Sequence, residues 1–246
     1  MQIRKHVPFL AALILALAIA ATPEASNMNT KTALSARQQS IVTIAAFTTS
    51  GDVDRLKPAL IEGLEAGLTV NEVKEVLVHM YAYAGFPRSL GGIWTFMGVM
   101  DERRAKGIRD EEGRDASPIP ADLDRDAYGA RVRADLSGLD EVPPEDAPYQ
   151  KFAPIIDTYL KEHLFADIFA RDILTHEERE LATIACLASL GRAEGPLNFH
   201  MGAAMNSGLT EDQMHGFIDV LAAKVDATVA QKAEAVLDQV LAARKK

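Results

Sequence analysis

Residues 174–191 read LTHEERELATIACLASLG, and residues 34–51 read LSARQQSIVTIAAFTTSG. Each stretch opens on leucine followed by a Ser or Thr of the kind that caps a helix N-terminus. Each then carries a Thr-Ile-Ala triplet (Thr183-Ile184-Ala185 and Thr43-Ile44-Ala45) and closes on glycine, at an offset of 140 residues throughout. Further on, Gly67-Leu68-Thr69 matches Gly208-Leu209-Thr210 at an offset of 141, and one inserted residue accounts for the change. Thr69-x-x-Glu72 and Thr210-x-x-Gln213 both have the form of a capping box. One shared tripeptide could arise by chance. Shared order, spacing and helix-start signals together indicate a duplicated helical unit.

Working outward, the segments between these landmarks show helical periodicity, with glycine and proline only at their edges. The β-branched and aromatic alternation of strands is missing. The pattern predicts helices over 36–49, 54–66, 70–83, 87–106, 149–171, 176–190, 196–206, 211–223 and 227–243, an all-α fold. Pro118, Pro120, Pro143, Pro144 and Pro148 set 107–148 apart as a linker or arm, with room for a short helix near 124–136. The expected layout is a first unit over 30–106, the arm over 107–148, and a second unit over 149–246.

Residues 1–20 are read separately. Arg4, Lys5 and His6 precede an apolar run from Val7 to Ala21, and Ala18-Ile19-Ala20 fits a cleavage site. This is the form of a secretory signal peptide, so the expectation is an exported chain, periplasmic or secreted, with no membrane anchor after cleavage. The chain is 48% hydrophobic and 25% charged, enough for a sizeable core, and its net charge is −9. Losing the leader removes Arg4 and Lys5 and no acid, which makes the remainder more acidic. Such a chain repels phosphate backbones, so no nucleic-acid partner is expected. The single cysteine, Cys186, lies in an apolar run and reads as buried and inert.

The pattern Glu178-Arg179-Glu180-Leu181, Leu190-Gly191-Arg192, His200 and Ala203-Ala204-Met205-Asn206-Ser207-Gly208-Leu209-Thr210 resembles the carboxymuconolactone decarboxylase family, with Phe165–Arg171 similar to its lead-in. The first half is similar through Ala66–Thr69, Glu75–His79 and Tyr83-Ala84-Gly85-Phe86-Pro87. The resemblance covers about 34–101 and 165–240. It implies two tandem alkylhydroperoxidase D-like units, a ring-like homo-oligomer (a trimer of double units), and no cofactor.

The sequence departs from the alkylhydroperoxidase branch, which places a Cys-x-x-Cys ahead of its histidine. Aligned on His200, those positions hold Ala193 and Pro196. Disulfide cycling needs two thiols, so the peroxidase mechanism is disfavoured. The branch's histidine and glutamate match His200 and Glu180. The first half has Leu60 and Ser40 there. Conversely, His79 and Tyr83 of the first half face Val220 and Lys224 in the second. Each half lacks what the other keeps, which points to one site per double unit.

The candidate catalytic residues are therefore His200 as general acid or base, Glu180 as its orienting partner, and His79 and Tyr83 as donors. Glu75, His79 and Tyr83 share one helix ridge at four-residue steps, and a plain packing interface accounts for them equally well. Arg171, Arg179 and Arg192 are candidates to bind a substrate carboxylate, against intersubunit ion pairing. His163, His176 and His215 read as solvated. No cluster has metal-ligand spacing, so no metal is expected. Trp94, Phe96, Met97 and Met100 read as core or subunit interface. The expected activity is a cofactor-free lyase or isomerase acting on a small carboxylated lactone or related oxo acid. The alternative is an exported, non-catalytic helical oligomer that binds a small ligand or a partner.

Overall fold

The two helices quoted first, α1 (Ala36–Ser50) and α8 (His176–Leu190), pack against each other at the centre of the molecule. Residues 40–49 of α1 and 179–187 of α8 are buried without interruption. A helix buried all round must be enclosed on every side, and the other helices supply that enclosure. The structure is a computed structural model and describes residues 34–245. The expected signal peptide lies outside the described residues.

Around the central pair run α2 (Val53–Glu65), α3 (Val70–His79) and α4 (Tyr81–Ala105) from the first half. From the second half come α9 (Glu194–Asn206), α10 (Glu211–Val220) and α11 (Ala227–Arg244). One continuous apolar core draws on both sets. The described residues contain no strand. All four start signals form complete capping boxes: Ser35 with Gln38, Thr69 with Glu72, Thr175 with Glu178, and Thr210 with Gln213. Arg37 then bridges the halves, bonding Glu72 at 2.6 Å and Glu178 at 2.9 Å. Gly85 (φ 81°, ψ 160°) breaks the helical path within α4, so the turn expected at Gly85-Phe86-Pro87 is present.

The arm is docked along its length. Val70 and Asn71 donate to the carbonyls of Glu111 and Glu112, and Ser117 bonds Asp172. The short helix expected near 124–136 is α5 (Arg125–Leu136). The single helix expected over 149–171 is instead divided into α6 (Pro148–Phe152), α7 (Pro154–Thr158) and a π-helical segment, Tyr159–Ile168. Pro154 explains the break: it offers no N–H and forces Ala153 out of helical geometry (φ −140°). α5 lies along the π-helical segment so closely that a β-carbon on Gly129 would stand 1.9 Å from the Lys161 carbonyl oxygen. A second apolar cluster, including Val132, Leu136, Leu164, Phe165 and Phe169, holds this contact.

Candidate active site

Two polar clusters sit where the halves meet, the first assembled from both and the second from the second half against Tyr83 of the first. In the first, Glu75 of α3 is 2% exposed and receives two cations from the second half. Arg171 reaches it with two nitrogens at 2.8–3.0 Å, and Arg179 of α8 donates to it at 2.7 Å. Arg179 also donates to the Arg171 carbonyl and stands 3.5 Å from His79 Nδ1. His79 Nε2 is 2.9 Å from the Thr183 hydroxyl. Burial, then the nearby Arg179 and His200, hold the His79 pKa well below the usual 6.5, so its ring is neutral at pH 7.

The second cluster is the pair expected from sequence. His200 of α9 and Glu180 of α8 are joined by a 2.7 Å bond between Nδ1 and a carboxylate oxygen, with Glu180 fully buried. With Nδ1 tied to the Glu180 carboxylate, Nε2 is the ring nitrogen left for chemistry. Tyr83 stands between the clusters. Its ring meets His200 edge-on at 5.4 Å and His79 at 5.3 Å. The Tyr83 hydroxyl is buried and has no hydrogen-bond partner among the described residues. Burial, then the negative Glu180, push its pKa well above 10, with Thr183 and Arg179 easing the shift, so it remains a neutral phenol.

His200 and the Tyr83 ring open onto a cleft of about 790 Å³. Its walls come from α5, the π-helical segment, α9 and the start of α4, and they are mostly apolar. His200 Nε2 has no hydrogen-bond partner among the described residues, so the imidazole is held from behind and presented to the cleft.

The remaining candidates lie elsewhere. His79 is fully buried and does not line the cleft. The Tyr83 hydroxyl turns inward, away from a ligand's reach. Arg171 and Arg179 bind Glu75, and Arg192 is exposed, with a left-handed backbone (φ 55°). The arginine that does line the cleft is Arg133 of α5, in company with Tyr149. Neither drew notice in the sequence, because Arg133 lies in the proline-rich arm and Tyr149 stands at its C-terminal border. The short helix carrying Arg133 gathers no distinct apolar face, so no local signal marked it. His163 and His215 are exposed as expected, whereas His176 is half-buried against Phe169. Trp94 and Met97 are exposed and Phe96 is buried. Cys186 is buried in the core, and burial pushes its thiol up to about 11.

The Carboxymuconolactone decarboxylase family pattern matches residues 14–92 and 156–239, well over half of the sequence. The chain belongs to the carboxymuconolactone decarboxylase family. It is also 29% identical over 97 residues to 4-carboxymuconolactone decarboxylase of Acinetobacter baylyi, a stretch that is 39% of this chain and 72% of that protein. The matched stretches of this family member contain His200, Glu180, His79 and Tyr83. They leave out α5 with Arg133, and Tyr149.

Proposed function

We propose that the chain is a cofactor-free lyase or isomerase acting on a carboxylated lactone or a related oxo acid, with His200 as its proton carrier. The observation that carries this reading is the His200–Glu180 pair. A buried carboxylate fixes one ring nitrogen, and the other faces a mostly apolar cleft large enough for a ligand. Family membership and the Acinetobacter relative support the reaction class.

In the decarboxylase form of the reaction, the bond between the ring carbon and the carboxylate carbon breaks. Carbon dioxide leaves, and the electron pair passes into the conjugated lactone as an enolate. His200, having taken up a proton from solvent at Nε2, then gives it to carbon, and Glu180 stabilises the imidazolium beforehand. An isomerase would use the same nitrogen as base and then as acid. Tyr83 and His79 serve as positioning residues: Tyr83 packs edge-on against the imidazole, His79 packs against Tyr83, and neither donates to substrate. This revises the role expected for them as donors to the lactone oxygen. We also place the chain outside the cytoplasm, on the strength of the signal-like leader.

The test is turnover of enzymatically generated 4-carboxymuconolactone, followed by loss of the lactone, for the parent and for His200→Ala. The expected result is turnover by the parent and a drop of about 10²- to 10⁴-fold in the variant. Equal turnover by both would remove His200 from the chemistry.

A further inference from the structure

We propose that Arg133 is the anion anchor of the cleft, and that its ligand is an anion with a substantial apolar body. This deepens the reading above by naming the substrate class and the residue that selects it.

Arg133 is fixed along one edge only. Its Nη1 donates to Asp157 at 2.5 Å and lies 3.2 Å from the Tyr149 hydroxyl. Tyr149 in turn donates to the same Asp157 oxygen at 3.1 Å. Asp157 is itself nearly buried and has Lys161 at 3.6 Å on its other oxygen. The guanidinium is thus held in place, while Nε and Nη2 bond none of the described residues. A planar cation pinned on one side, with donors left over at the wall of an apolar cleft, matches the fork geometry of a carboxylate or enolate oxygen. Arg171 and Arg179 are turned to Glu75 instead, and neither lines the cleft.

The rest of the cleft sets the body of the ligand. Leu160, Leu164, Phe165, Pro196 and Phe199 form most of its wall. A volume of about 790 Å³ lies in the range, about 300–1,000 Å³, that encloses a ligand of drug size, so a compact polyanion would leave most of this surface uncovered. A ring or branched chain attached to one anionic group fills it.

The origin of these residues sharpens the point. His200 and Glu180 lie in the stretches shared with the family, whereas Arg133 and Tyr149 lie between those stretches, in the arm and at its border. Proton transfer belongs to the common scaffold, and ligand choice belongs to the arm. Anchoring the enolate oxygen is also the productive use of the cation. Charge grows there during decarboxylation, whereas an ion pair on the departing carboxylate would be lost.

Isothermal titration calorimetry on the full chain tests this without relying on turnover. The probes are 4-phenylbutyrate, its uncharged amide, and citrate as a compact polyanion. The expected order is 4-phenylbutyrate at least tenfold tighter than the amide, with citrate undetectable. Arg133→Gln should bring the acid to the level of the amide and leave the amide unchanged, with Arg55→Gln, outside the cleft, as a silent control. Equal binding of acid and amide by the parent overturns the proposal, as does citrate binding as tightly as the acid, or an Arg133→Gln chain that keeps full affinity for the acid. The acid-to-amide comparison stands on the parent alone if that variant fails to fold. An inactive parent with Arg133-dependent binding would sink the lyase reading and leave the anchor in place.

Discussion

Thr183 of α8 and Thr43 of α1 occupy matching positions in the two copies of the helical unit, yet their surroundings have diverged. Near Thr183 lie the His200–Glu180 pair, the Tyr83 ring and the large cleft. Thr43 lines a pocket of only about 230 Å³, with Phe47, Arg55 and Lys224. Ser40 stands where Glu180 would be and returns its hydroxyl to the Ala36 carbonyl of its own helix. Leu60 stands where His200 would be and is fully buried. Arg55 closes the corner by lying 4.3 Å above the Phe47 ring and donating to the Lys224 and Val225 carbonyls at 2.7 Å. The contrast shows how a duplicated site is retired. A buried acid without its partner is costly, so Glu and His are kept together or lost together.

That logic can be broken most sharply by converting one corner into the other. Glu180→Ser with His200→Leu should abolish turnover while unfolding at a urea midpoint near the parent's. His200→Ala alone, which strands Glu180, should lose about 1–3 kcal/mol of stability as well as activity. A double variant less stable than the single one would overturn the paired-loss account. In stability alone the larger loss is expected of Glu75→Ala. It leaves Arg179 buried without its carboxylate and should cost about 3–5 kcal/mol in chemical denaturation. Lys74→Ala, next to it on the surface, should cost little.

Acidity gives a smaller effect with a definite sign. The unfolded chain takes up a proton at His79 near its ordinary pKa of 6.5, and the folded chain refuses it. Stability from this residue is therefore present above pH 6.5 and falls as pH drops below that value toward the folded pKa. Tyr83 acts at the other end: its raised pKa means stability falls as pH rises past 10. Urea unfolding between pH 5 and 8 should flatten for His79→Gln; an unchanged slope would place the acid sensitivity elsewhere. Smallest of all, Thr69→Ala and Thr210→Ala should each lose about 1 kcal/mol, and equally, because the two capping boxes are equivalent. A marked inequality in thermal unfolding would show that the copies no longer depend alike on their shared start signal.

The helices were legible in the sequence because their boundaries are local chemistry. A cap and a box partner three residues later act within a few residues, and the starts at 36, 70, 176 and 211 follow them; glycine closes only the helices ending at 50 and 190, while those expected to reach 83 and 223 end at 79 and 220. The His200–Glu180 pair was legible through the family pattern. Pairings across long separations were not. Nothing near Arg171 or Arg179 announces that Glu75, about a hundred residues away, will occupy both. Arg133 escaped for another reason: it sits on a short helix inside a proline-rich arm, and its value comes only from the wall it joins. The break at Pro154 was open to inspection, since proline cannot continue the hydrogen-bond ladder, but the surrounding periodicity outweighed it.

Gly129 gives the arm a tuning point. With the Lys161 carbonyl 1.9 Å from where its β-carbon would stand, one added methyl group at this position works as a wedge. It would force α5 to slide or lift, carrying Arg133 with it, while the imidazole and its carboxylate stay anchored in other helices. A lineage could therefore drift toward new ligands through a single codon in the arm, with its proton chemistry inherited unchanged.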